Sequence, residues 1–133
     1  MLFVFMRLKS PTLTPQELEI MKIVWRLGTV TVRDVYEALL AERKIAYTTV
    51  MTMMKILERK GHLKKGRQDR AYIYHAAQPQ NTVIRGMIRE FVDRVFNGSA
   101  EPLLLHLVRD RRIREKDLEK IARMIQQQGP ARR

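Results

Sequence analysis

The sequence predicts a mainly α fold with one small β-hairpin, divided into an N-terminal domain and a C-terminal helical region. Three observations lead there. Apolar residues recur at helical spacing in six stretches. Two short β-prone runs, His62–Lys65 and Arg70–His75, flank the turn-rich Gly66-Arg67-Gln68-Asp69. After Pro79 the pattern changes to long apolar stripes.

Thr14-Pro15-Gln16-Glu17 is a helix start. Thr14 caps, Pro15 suits the first helical position, and Glu17 completes a capping box. The helix runs to about Leu27. Ile20, Ile23, Val24 and Leu27 form its stripe, Leu18, Met21 and Trp25 widen it, and Gly28 ends it. An arc that broad implies two packing neighbours. Trp25 is read as packing. Thr29-Val30-Thr31 suits a short edge strand, and Thr31 caps a second helix with Asp34 near its positive end. Val32, Val35, Tyr36, Leu39 and Leu40 give that helix its inner face. Glu42-Arg43-Lys44 is a polar turn.

The third helix, within Ile45–Arg59, splits into two faces. Val50, Met53, Met54 and Leu57 form the apolar stripe. Thr48, Met51, Thr52, Lys55 and Arg59 follow the same spacing on the other side and include no carboxylate. A solvated face ordinarily mixes charge signs. Hydroxyls, one flexible apolar side chain and two cations instead suit base edges, thymine methyls and phosphates. The expectation is a helix that enters a DNA major groove. Two helices joined by a short turn form a helix-turn-helix unit, a pairing that many helical domains also use without touching DNA.

The hairpin narrows the choice. From Lys55 to Arg70 there are seven Lys or Arg and two acids. A basic helix followed by a basic hairpin is the layout of a winged helix-turn-helix domain, in which the wing grips phosphates. Tyr72 and Tyr74 share a strand face and are read as hairpin packing. The whole chain has 133 residues, 26 Lys or Arg against 14 Asp or Glu, and a net charge of +12. Its length suits one domain with an appendage, its 45% hydrophobic content suits a real core, and its charge points to a polyanion partner.

Beyond Pro79, a helix over about Thr82–Phe96 carries Ile84, Met87, Ile88, Phe91, Val92 and Val95 on one stripe, and Gly98 ends it. Glu101-Pro102 opens a second helix that includes Leu104. A third, about Glu115–Gln127, turns Leu118, Ile121, Ala122 and Ile125 inward. Helices this apolar are poorly suited to stand alone. Either they interlock in a homodimer or they fold back on the first domain. The dimer is favoured because a two-fold reader matches a two-fold operator. The expected divisions are a flexible tail at 1–11, a DNA-binding domain at 12–78, a helical dimerisation region at 79–127 and a flexible tail at 128–133.

The strings L-T-P-Q-E-L-E-I-M-K-I-V-W (13–25), T-V-R-D-V (31–35), A-Y-T-T-V-M-T-M-M-K-I-L-E-R-K-G-H-L (46–63) and R-A-Y-I-Y (70–74) resemble the penicillinase repressor family. That family includes the methicillin-resistance repressor and copper-responsive repressors. The resemblance covers about residues 12–127 and is densest over 13–75. It implies a winged-helix domain, an intertwined C-terminal dimerisation region, and dimers that block transcription on palindromic operators. By position it makes Tyr47–Lys60 the reading helix, with Thr48, Thr49, Met51 and Thr52 nearest the bases and Tyr47 also among the DNA-binding residues. Lys65, Arg67 and Arg70 become the phosphate candidates of a wing over Lys64–Tyr74. β-Lactam-responsive members are cut between an Asn and a Phe by a membrane sensor-protease, an implied partner. Here His106-Leu107 occupies that place. Copper-responsive members use paired cysteines, and this chain has none.

Other chemistry finds little support. The lack of Cys removes disulfides, thiolate metal sites and a Cys nucleophile, and is compatible with a cytoplasmic location. His62, His75 and His106 lack ligand spacing, the glycines form no phosphate loop, and Ser10 and Ser99 both lie in loops. No cofactor, metal or enzymatic activity is expected. No stretch approaches the roughly 18 apolar residues of a membrane span. Met1–Met6 is too short for a signal core, and Met6 is an alternative start. Two other functions use the same basic surface: non-specific DNA or RNA binding, and docking of an acidic protein. The low aromatic content, 7%, argues against a base-stacking platform.

Overall fold

The structure, a computed structural model, describes residues 12–129. The expected tail at 1–11, and residues 130–133 of the expected C-terminal tail, lie outside the described residues. The elements in order are α1 (Pro15–Leu27), α2 (Val32–Leu40), α3 (Tyr47–Arg59), β1 (Leu63–Gln68), β2 (Ala71–Ala76), α4 (Gln80–Phe96), α5 (Glu101–Arg109) and α6 (Glu115–Gln128). The mainly helical winged-helix architecture is as the sequence predicts.

The expected capping box at Thr14 closes, and the expected Thr31 cap proves to be a second one. The Thr14 hydroxyl accepts from the Glu17 amide at 3.1 Å, and the Glu17 carboxylate accepts from the Thr14 amide at 3.0 Å. Thr31 and Asp34 repeat the exchange at 3.1 and 2.9 Å. Each box satisfies two backbone donors that a helix start leaves open. The core of the first unit then forms from α1, α2, α3 and the hairpin. Val24, Val35, Leu39, Val50, Met54 and Leu57 are wholly buried, with Ile20, Met21, Val30 and Leu63 beside them. At about 1.5–3 kcal/mol for each large side chain, this stripe-on-stripe burial fixes the angle of α3.

Several expectations need correction. Thr29-Val30-Thr31 is not a strand. It contributes one antiparallel bridge, Val30 to Tyr74, because Thr31 is committed to capping α2. The hairpin pairs further than its composition suggests. Gly66, Arg67 and Gln68 lie in β1, opposite Ile73, Tyr72 and Ala71, and the turn shrinks to Asp69-Arg70. Asp69, at φ 56, takes the left-handed conformation that a short turn needs. Leu27 and Leu40, expected inside, are 48% and 43% exposed. Each ends its helix, where the apolar period continues but a packing neighbour does not. Helix α4 begins at Gln80, directly after Pro79. Trp25 packs half-buried, and its indole N–H also donates to the Gln78 carbonyl at 3.1 Å.

The chain divides into two compact units, one reaching Arg85 and one beginning at Gly86, so the division falls within α4. In the second unit Phe91 meets Phe96 edge-on at 5.9 Å, and Phe96 lies 5.9 Å from the His106 ring. Val92, expected on the dimerisation stripe, is buried within the single chain at 8% exposure. Helices α5 and α6 bury no residue.

Glu17 also reaches across the first unit. Its carboxylate accepts from the Lys60 ammonium at 2.8 Å, and the same ammonium donates to the Thr12 carbonyl at 3.4 Å. Burial raises the Glu17 carboxyl, but hydrogen bonds from Lys60 and the Thr14 amide, with the Lys60 charge, outweigh it and hold it below the ordinary glutamate value. A lowered carboxylate stabilises the fold above its unfolded value, and that gain is lost as pH falls through the folded value. Glu17→Gln is therefore expected to cost about 1–3 kcal/mol at neutral pH. The gap between variant and parent in urea denaturation should narrow once the pH drops below about 4.

Candidate nucleic-acid interface

Helix α3 is held from inside by Val50, Met54 and Leu57, with Met53 half-buried. Helical periodicity then turns Thr48, Thr49, Thr52, Lys55 and Arg59 outward, and all five are exposed; Met51 is half-exposed. Tyr47, at the first helical position, meets Tyr36 of α2 edge-on with ring centroids 5.3 Å apart. That contact sets where α3 begins. Ala46 precedes it and supplies no side-chain cap. At the far end, the Gly61 and His62 amides close the helix onto the Glu58 and Leu57 carbonyls at 3.0 and 2.9 Å. Gly61, at φ 89, takes the conformation this closure requires.

The closure leads directly into β1. Cross-strand pairing sets Lys65 opposite Tyr74 and Arg67 opposite Tyr72, so all four share one hairpin face. Tyr74 is buried. Its phenol is pushed up by burial, against the Lys65 charge. Tyr72 stands 52% exposed, with the Lys65 ammonium 4.6 Å and the Arg67 guanidinium 5.2 Å from its ring centroid. The expected reading of Tyr72 as hairpin packing is therefore incomplete. It is also an aromatic ring that two cations approach. Arg70 lies in the turn.

The basic window is less uniform than its composition. Lys60 is committed to Glu17, and the Lys65 ammonium lies 3.8 Å from the Glu58 carboxylate. Lys55, Arg59, Lys64, Arg67 and Arg70 have no carboxylate partner among the described residues. The role of Lys60 was not readable from sequence, because Glu17 is 43 residues away and only packing brings them together. Lys64 was not singled out either. It pairs across the hairpin with His75, on the face opposite Lys65.

The remaining expected residues lie in the second unit or at its edge. Ile88, Phe91, Val95, Leu104 and Ile125 are exposed, while Ile84, Met87, Leu118 and Ile121 are half-buried. His106 is exposed and Leu107 half-buried, both inside α5. No group of three or more His, Cys, Asp or Glu among the described residues is placed to hold a metal ion. No described helix is long and apolar enough to cross a membrane.

Comparison with known proteins agrees with this architecture. The model of the penicillinase repressor family matches residues 13–127. A penicillinase repressor from Bacillus licheniformis is 21% identical over 119 residues, covering 90% of this chain and 93% of its own length. The transcriptional regulator BlaI of Mycobacterium tuberculosis is 36% identical over 94 residues, 69% of this chain and 68% of that one. The methicillin resistance regulatory protein MecI of Mammaliicoccus sciuri is 18% identical over 117 residues, 88% and 95% of the two chains. The family suggested by the strings at 13–25 and 46–63 is the one matched over nearly the whole chain. This chain belongs to the penicillinase repressor family.

Proposed function

We propose that this chain, a DNA-binding transcriptional repressor by family, works as a cytoplasmic homodimer on a palindromic operator. The family consists of repressors rather than enzymes. The observation that carries the reading is the outward face of α3. It is uncovered, free of carboxylates, and continuous with a hairpin whose cations mostly lack acidic partners. Thr48, Thr49, Met51 and Thr52 read base edges from the major groove, with Tyr47 setting the helix start. Lys55, Arg59, Lys65, Arg67 and Arg70 take phosphates. Two copies place their α3 helices about 34 Å apart along one side of the duplex.

The second unit supports the dimer. Two helices that bury nothing, beside exposed Ile88, Phe91 and Val95, present the kind of face that a second copy covers. Ile84, Met87, Leu118, Ile121 and Ile125 extend it, and Leu104 adds to it from α5. Release would follow from a cut in this unit by a membrane sensor-protease. The bond between His106 and Leu107 sits within a helix, so that helix must open before cleavage. Losing the dimer would then remove the gain from linking two half-sites.

Selection of bound duplexes from a random pool, followed by affinity measurements, tests the reading. Met51→Ala and Thr52→Ala should change which sequences are recovered, at about 1–3 kcal/mol for each base contact. Arg67→Ala should weaken selected and random duplexes alike. It should also flatten the salt dependence by about one unit of slope. Lys65→Ala should weaken binding less than Arg67→Ala, because the Lys65 ammonium is already shared with Glu58. A protein that recovers no preferred sequence would be a non-specific binder instead.

The dimer has its own check. Ile88→Asp with Phe91→Asp should give a monomer by sedimentation, with the first unit still folded. Operator affinity should fall about 100-fold or more. A dimer that survives both charges would rule out this interface.

A further inference from the structure

The hairpin carries two tyrosines on one face, and they are placed very differently. Tyr74 is buried, and its backbone exchanges hydrogen bonds with Val30: the Tyr74 amide donates at 2.7 Å and the Val30 amide at 2.9 Å. Those contacts fasten the hairpin to the first unit. Tyr72 lies two residues nearer the turn and stays exposed. A ring so placed adds little to the core. Its neighbours point to another task.

Strand pairing sets Arg67 directly opposite Tyr72, and Lys65, two residues along β1, falls on the same face. The Lys65 ammonium is 4.6 Å and the Arg67 guanidinium 5.2 Å from the Tyr72 ring centroid, both within the range of a cation–π contact. The two cations differ in what else holds them. Lys65 also faces the Glu58 carboxylate at 3.8 Å. The Arg67 guanidinium has neither a hydrogen bond nor an ion pair among the described residues, which leaves it the ring alone. Lys64 and Arg70 have no ring contact among those residues. Arg67 is therefore the wing cation that is both held in place and without an acid. Contact with a ring uses none of the N–H donors of a guanidinium, so all of them remain for a phosphate.

We propose that Tyr72 is a positioning residue for DNA binding: its ring holds the Arg67 guanidinium in place on the hairpin before a duplex arrives. The proposal rests on the reading above of the wing as a phosphate grip. A long side chain that is free in the unbound protein loses its rotamer freedom when it meets a phosphate, and that loss weakens binding. The ring removes part of the loss in advance. The ring face does this, so the Tyr72 hydroxyl takes no part.

The test is a double-mutant cycle in the full-length chain, with affinity measured on selected and random duplexes of one length. Y72L should weaken binding to both by about two- to fivefold. Y72F should bind as wild type, because the ring remains. In the R67A background the Y72L penalty should vanish, so that Y72L/R67A binds as R67A does. In the free protein, the Arg67 side-chain proton resonances should be shifted upfield by the ring in wild type and Y72F, and not in Y72L. A ring that touches DNA itself, or that serves folding alone, would leave the Y72L penalty intact beside R67A, and a folding role would also lower the Tm of Y72L. Either result overturns the proposal. So does a Y72F that binds as weakly as Y72L, or an upfield shift missing from wild type. If R67A weakens binding and Y72L does not, the proposal alone fails. If R67A binds as wild type, the wing reading fails with it. Failure of the operator reading shows separately, as equal wild-type affinity for the two duplexes.

Discussion

Everything on the outward side of α3 depends on the burial of its inward side. Val50, Met54 and Leu57 lie entirely out of water against α1, α2 and the hairpin. A shift of one residue in that packing would rotate the helix by about 100° and carry the threonines under the fold. The opposite face has no such constraint from the core, so its residue types are free to answer to a partner. The lack of carboxylates there is therefore informative in a way that it would not be on a helix with no buried stripe.

The features readable from sequence are those decided within a few residues. Thr14 with Glu17, and Thr31 with Asp34, declare helix starts because donor and acceptor lie one turn apart. Gly28 and Gly61 declare ends. The features that escaped are decided across the chain. Gly66-Arg67-Gln68 has the composition of a turn, but Ile73, Tyr72 and Ala71 draw it into the ladder. Leu40 keeps the helical period while its neighbour runs out. Glu17 looks like an ordinary capping residue, and nothing local says that it also receives Lys60. The end of α5 escaped for a different reason. Its closing residue is an arginine, so the sequence carries no glycine to mark it.

The two units differ in how complete they are. The first has a core to which three helices and a hairpin contribute, with caps and an ion pair tying α1 to the end of α3. Among its described residues the second has one buried apolar side chain, Val92, and two helices that bury none. A region of that kind draws little stability from its own fold.

The chain has a single tryptophan. Its indole is half-buried and tied to the Gln78 carbonyl, so both ends of that contact belong to the unit that precedes Gly86. Intrinsic emission at tryptophan wavelengths consequently watches the first unit alone, and the second is dark to it. A melt followed by fluorescence and by far-ultraviolet dichroism would diverge wherever the two units come apart at different temperatures.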